Sequence, residues 1–284
     1  MKIGITGATG QLGRLVLKSL QGKAHSAELV ALVRSPEKAE DLDVEVRSFD
    51  YTDTGEKLSG ALDGIDTLLL ISSSEIGKRR MQHSRVVQAA KDAGVKRIVY
   101  TSLLHADTSS INLAGEHKES EQIVKDSGIP YSILRNGWYT ENYLGSVSQA
   151  LASGKLVGSA GDGKISSATR KDYAEAAAHV LTTEGHEGKV YELAGDDAFT
   201  LSDLAAEVSR ISGKEVTYVD LPEKDYAAEL EKAGLPQDLA GTIASWDRGI
   251  AQGDLYDGDK VLSALIGRPT TPLEETVKTV IQHL

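Results

Sequence analysis

Six short apolar runs, at residues 2–6, 28–33, 44–49, 67–71, 97–101 and 131–134, alternate with stretches of helical periodicity. In residues 11–20, Leu12, Leu15, Val16 and Leu20 share one helical face, and residues 79–93 run without proline up to Gly94. Parallel strands cannot be joined by a two-residue hairpin, whereas an intervening helix joins them through a right-handed crossover. The alternation therefore predicts a Rossmann-like, doubly wound parallel sheet, the architecture that binds dinucleotides. After about residue 137 the rhythm changes. A helical stretch at 141–152, a Gly-rich loop at 158–163, an Ala-rich helix at 173–182, a strand at 189–193 and further helices follow. No Pro/Gly/Ser-rich linker intervenes, so residues 1–137 read as the main part of a dinucleotide-binding domain. Residues 138–284 read as a smaller C-terminal α/β lobe covering a substrate, with a soft boundary and with segments free to return to the main sheet.

The chain of 284 residues is 40% hydrophobic, enough for one large α/β core. It has no cysteine, which excludes disulfides and thiolate metal sites and fits a reducing, cytoplasmic setting. Neither a leader nor an apolar stretch of about 20 residues is found, so no membrane span is expected. A net charge of -11 with no basic stripe argues against nucleic-acid binding, and homo-oligomerisation is left open.

Within this frame the segment "GITGATGQLGR" places Gly7, Gly10 and Gly13 between the first strand and the first helix. The first glycine permits a tight turn, the second lets a pyrophosphate approach the backbone, and the third allows close packing of helix on strand. Free N–H groups at the helix N-terminus complete an anion site. The second strand ends in Arg34, where a carboxylate accepting from a ribose hydroxyl would mark NAD(H). A guanidinium donates to phosphate and accepts nothing, which favours NADP(H), although an exposed loop arginine is the plain alternative. Asp50 is either an adenine-amine acceptor or a solvated strand-end carboxylate, and Ser72, Ser73, Ser74 and Glu75 stand at the carboxyl edge of the fourth strand.

Many enzymes of this architecture reduce ketones with a Tyr-x-x-x-Lys pair after the fifth strand. Here only Tyr256 has a lysine four residues on, Lys260, in the glycine-broken "LYDGDK". The expected helix, "LAGEHKESEQIV", holds His117 and Lys118 but no tyrosine. His117 is a weak proton-donor candidate, weighed against a solvated helix histidine, and the catalytic residues otherwise stay unassigned. Hydride addition to a ketone makes an alkoxide whose conjugate acid has a pKa of roughly 16. Addition to a quinone makes a phenolate-like oxygen of roughly 10, a difference of about 8 kcal/mol in basicity. The missing acid points to electron-poor acceptors that need positioning more than protonation. The segment "LRNGWYTENY" after the sixth strand offers flat aromatics and amides for such an acceptor: Asn136, Trp138 and Tyr139, with Asn142 as a second amide. Packing of the second lobe by the same aromatics is the plain alternative. The seven histidines show no metal-like pairing, and no metal is expected.

Taken with "LLLISSSE", "YTSLLHADTS", "ATRKDYAEAAA", "YELAGD" and the closing "IGRPTTPLEE", these blocks resemble the NmrA-like branch of atypical short-chain dehydrogenase/reductases, and within it the quinone oxidoreductases of the second bacterial type. The resemblance covers essentially the whole chain. It implies a flavin-free NADPH-dependent reduction of quinones to hydroquinones by direct hydride transfer, in a cleft beneath the smaller lobe. By position it assigns Gly7, Ala8, Thr9, Gly10, Gln11 and Leu12 to the cofactor phosphates and Arg34 to the ribose phosphate. Ser73, Ser74 and Glu75, with Trp138, Tyr139, Asn142 and Tyr143, are assigned to the ribose, nicotinamide and acceptor side. Similar proteins that reduce plant phenolics carry a lysine where His117 stands here. The branch also contains a regulator that binds dinucleotides without turning them over, and proteins that reduce triphenylmethane dyes.

Overall fold

The computed structural model of the chain describes residues 1–22 and 27–282. The chain divides into two compact units. The first comprises Met1–Asp107, Leu113–Asn136 and Arg170–Leu193, and the second Thr108–Asn112, Gly137–Thr169 and Ala194–Leu284.

In the first unit the chain runs β1 (Lys2–Thr6), α1 (Gln11–Gln21), β2 (Glu28–Val33), β3 (Glu45–Ser48), α2 (Gly55–Ala61), β4 (Thr67–Leu70), α3 (Arg79–Asp92), β5 (Arg97–Leu103), α4 (Ala114–Asp126) and β6 (Tyr131–Asn136). Two later elements return to this unit. With α5 (Leu144–Ser153) and β7 (Lys155–Gly158) intervening in the second unit, these are α6 (Arg170–Thr182) and β8 (Lys189–Leu193). The sheet is seven-stranded in the order β3-β2-β1-β4-β5-β6-β8, and each neighbouring pair is parallel. This is the doubly wound, Rossmann-like arrangement that the alternation predicts. The order reverses between β1 and β4, which opens a crevice at their carboxyl ends.

The continuous apolar runs follow from burial on both faces. Ile3 and Ile5 of β1, Leu68 to Leu70 of β4 and Ile98 to Tyr100 of β5 are all fully buried. On one face Leu58, Val86, Ala90 and Val124 of α2, α3 and α4 join a single apolar cluster with the sheet. On the other, α1 packs against α6. Burying Leu12, Val16, Leu17 and Leu20 of α1 contributes about 1.5–3 kcal/mol per side chain.

The second unit continues with α7 (Leu201–Ser212), β9 (Thr217–Asp220), α8 (Glu223–Lys232), α9 (Gln237–Ala251), α10 (Val261–Ile266) and α11 (Leu273–Gln282). A reciprocal cap starts α7: Thr200 Oγ1 accepts from the Asp203 amide and the Asp203 carboxylate accepts from the Thr200 amide. β7 and β9 form a separate two-stranded parallel sheet. The helix expected at 141–152 begins with a 3-10 turn, Thr140–Tyr143, before α5. No helix among the described residues is long and apolar enough to cross a membrane.

Candidate functional site

At the carboxyl end of β1 the backbone turns at Gly7, whose φ of 59° lies in the left-handed region that glycine adopts freely. Gly7 O accepts from the Gly10 amide at 2.9 Å, which closes the turn. α1 then starts at Gln11 behind Gly10, with no side-chain cap and no acidic residue in its first turn. The partial positive charge of its N-terminus is therefore left for an external anion. Gly13 lets helix and turn approach: a Cβ there would stand 2.4 Å from Gly7 O and 2.7 Å from Ala8 Cα. The Thr9 carbonyl is occupied by Arg14 Nε at 3.2 Å, and Arg14 also pairs with Asp41. Ala8 and Leu12 are buried, while Gly7, Gly10 and Gln11 are exposed and Thr9 is half-buried. At Gly7 and Gly10 the surface of the turn is thus bare backbone, of the kind that a pyrophosphate can approach.

A hydroxyl network joins the strands bordering the crevice. Tyr51 OH donates to Thr6 Oγ1 or to Ile71 O, lying 2.6 and 2.7 Å from them. Thr6 Oγ1 in turn accepts from the Ile71 amide at 2.9 Å. Burial pushes the Tyr51 phenol well above its usual range, so it stays a donor. Arg34, just past β2, is 71% exposed and lies 3.6 Å from Glu75 Oε1. Burial tends to raise Asp50, but hydrogen bonds from Thr52 outweigh it with help from the Arg34 charge, so its carboxylate is held low.

The segment after β4 is held by groups that the sequence pattern does not reveal. The Ser73 amide donates to His83 Nε2 at 3.0 Å, and Arg79 Nε donates to Ser73 O at 2.6 Å. Glu116 takes the Gly77 amide at 2.8 Å on one oxygen and Arg79 Nη1 at 3.1 Å on the other. Because His83 Nε2 accepts, its proton sits on Nδ1 and faces Ser120 Oγ, 2.8 Å away, which donates to Glu116 O. Burial, then the Arg79 charge, lowers the His83 pKa to about 3 and keeps the ring neutral. These anchors fix Ser73 and Glu75 at the crevice, whereas Ser74 is exposed. The one sequence cue is the spacing of Arg79 and His83, which puts both on one face of α3.

His117 is buried rather than solvated, and its Nδ1 lies 2.9 Å from Tyr100 OH. Burial, with the charges of Arg79 and His83, lowers its pKa to about 3, so it carries no imidazolium proton near neutrality. Four residues on, Glu121 forms a two-pronged pair with Arg135, both contacts at 2.8 Å, and also accepts from Ser102 Oγ at 2.7 Å. Arg135 reaches Glu192 at 2.7 Å, whose other oxygen accepts the amide of His105, a residue with φ 53°. This network ties the carboxyl ends of β5, β6 and β8. Asn136 closes β6 with a buried Oδ1 that has no partner among the described residues.

In the second unit, Trp138 and Tyr139 are half-buried. Trp138 meets Trp246 edge to face at 5.2 Å, and Trp246 Nε1 donates to Asn112 Oδ1 at 2.9 Å. Thr140 N donates to Ala168 O, and Asn142 N donates to Tyr139 O, both at 2.9 Å. Tyr143 packs against Phe199 and buries its OH without a partner among the described residues. Among the described residues no cluster of three or more His, Cys, Asp or Glu has metal-binding geometry.

A family profile described as NAD(P)H-binding matches residues 7–184, from the first glycine of the turn into the segment after α6. The chain belongs to this NAD(P)H-binding, NmrA-like family. It is 57% identical over 278 residues to quinone oxidoreductase 2 of Escherichia coli, covering 97% of each chain. The structure of the NADPH-dependent quinone oxidoreductase QOR2 of E. coli complexed with NADPH superposes with a TM-score of 0.95 at 56% identity, covering 98% of this chain and 99% of that one. Triphenylmethane reductase of Citrobacter sp., complexed with NADP(H), gives 0.94 at 40% identity over 98% and 99%.

Proposed function

We propose that this protein reduces quinones to hydroquinones with NADPH, in one two-electron step. The single observation that carries the reading is the E. coli quinone oxidoreductase 2, alike over 97% of both chains. The local geometry supports the cofactor. The buried Gly13 lets α1 close on the turn, the uncapped α1 N-terminus suits an anion, and the exposed Arg34 guanidinium suits a ribose phosphate rather than a hydroxyl.

Bound NADPH supplies a hydride, and the protein's residues do the rest. Gly7, Ala8, Thr9, Gly10, Gln11 and Leu12 hold the pyrophosphate, and Arg34 the ribose phosphate. Ser73, Ser74 and Glu75 border the ribose. The buried Asn136 Oδ1, without a partner among the described residues, suits an N–H donor such as a carboxamide. Trp138 and Tyr139 follow the end of β6 directly in the chain and offer flat faces for an acceptor ring, with Asn142 and Tyr143 in the same segment. His117, neutral and bonded to Tyr100, is not used as an acid. Water protonates the phenolate-like product, whose basicity is low enough to need no dedicated acid. No flavin or metal takes part.

Purified protein mixed with NADPH and a panel of benzoquinones tests this, with kcat/KM compared across the panel and against a triphenylmethane dye. Many turnovers with quinones support the proposal. Tight binding of NADPH without its oxidation overturns it in favour of a dinucleotide-sensing regulator.

A further inference from the structure

We propose that Glu75 sets the balance between NADPH and NADH, by competing with the cofactor's 2′-phosphate for Arg34. The inference rests on the cofactor site described above and adds a determinant of selectivity to it. Arg34 follows β2 and Glu75 follows β4, and β1 lies between these strands in the sheet. Their contact, Arg34 Nη1 to Glu75 Oε1 at 3.6 Å, therefore reaches across the carboxyl end of β1, where the glycine turn begins. The backbone that carries Glu75 is fixed from the interior by His83, Arg79 and Glu116, and its own amide donates to Ser73 Oγ at 3.1 Å. The carboxylate faces two cations at once, because its second oxygen lies 2.9 Å from Lys78 Nζ.

The two contacts suit the two cofactors differently. A ribose 2′-hydroxyl donates to a carboxylate, so Glu75 beside Arg34 accommodates NADH. A 2′-phosphate brings about two negative charges and takes Arg34 for itself, leaving the carboxylate with Lys78. Asp50, whose carboxylate also feels the Arg34 charge, adds to the anionic field that the phosphate meets. Glu75 thus lowers the preference for NADPH that Arg34 alone would give.

Titrating the purified protein with NADPH and NADH, by nicotinamide fluorescence, tests the competition. In Glu75→Gln the ratio of NADH to NADPH dissociation constants rises about tenfold, and the gain shrinks as salt screens the charges. In Lys78→Met the ratio moves the other way, because the carboxylate is left with Arg34 as its cationic partner. Equal changes for both cofactors in Glu75→Gln, or no change in the ratio, overturn the inference. NADPH binding with the expected shifts but without quinone turnover supports the inference while the proposed activity fails. Absence of binding by either dinucleotide in the unaltered protein overturns both.

Discussion

Gly13→Ala puts the glycine turn under direct strain. The new methyl stands 2.4 Å from Gly7 O and 2.7 Å from Ala8 Cα. Both are backbone atoms, so no side chain can rotate away. Ordinary contacts begin near 3.5 Å, and the first turn of α1 must therefore retreat by about 1 Å. Overpacking of this kind typically costs about 1–3 kcal/mol, and in a chain of this size each kcal/mol lowers Tm by about 2–4 °C. The retreat also carries the amides of α1 away from the pyrophosphate, so NADPH affinity should fall more than tenfold. Thermal unfolding by circular dichroism, with and without NADPH, measures both effects. Gly60→Ala in α2 is the control: nothing lies within 4 Å of its Cβ, and alanine there is neutral or stabilising by up to about 1 kcal/mol. A Gly13→Ala protein with unaltered Tm and NADPH affinity would refute the account of the turn.

Other substitutions and pH test the rest. Arg34→Glu should weaken NADPH far more than NADH in direct titrations, and equal losses would remove the ribose-phosphate assignment. Arg135→Met should destabilise by about 3–5 kcal/mol in urea unfolding, because it strands a buried Glu121 carboxylate; a loss below 1 kcal/mol contradicts the hub. His83 and His117 have folded pKa values of about 3, below the ordinary 6.5. The unfolded chain therefore binds more protons between pH 6.5 and 3, and their contribution is present above 6.5 and lost on acidification through that window. NMR should find both rings neutral at pH 5, and a midpoint near 6.5 for either ring contradicts its burial. Trp138→Ala should leave the protein folded, with Tm lowered through its lost contact with Trp246, and impair quinone turnover; an unchanged rate would move the acceptor elsewhere.

The central strands were legible because they are buried on both faces. β1 and β2 span the residues that their apolar runs suggest, β8 matches the strand expected at 189–193, and the runs at 97–101 and 131–134 stop short of Leu103 and Asn136. There polar residues, Ser102, Arg135 and Asn136, enter the strands as their carboxyl ends approach the crevice. β7 and β9 are four residues each with one charged end, too short for a periodic signal against neighbouring helices. The glycine turn was readable from spacing and context, since a backbone approach demands missing side chains. Its supports were not. His83 meets Ser120 across 37 positions of sequence, and Arg135 meets Glu192 across 57. Such pairs depend on which helix lies beside which strand, and residue type alone does not encode that. His117 illustrates the same limit: helical spacing allows a surface or an interior position, and the packing of α4 on Tyr100 decides for the interior.

The most direct measurement follows reduced nicotinamide absorbance in a stopped flow, using flavin-free protein, NADPH and saturating p-benzoquinone, with an enzyme-free trace subtracted. The account predicts repeated turnovers that consume one NADPH per hydroquinone formed, with no semiquinone signal in parallel electron paramagnetic resonance. Reduced nicotinamide that persists on the bound protein beside excess quinone, or turnover that appears only when flavin is added, would contradict direct hydride transfer.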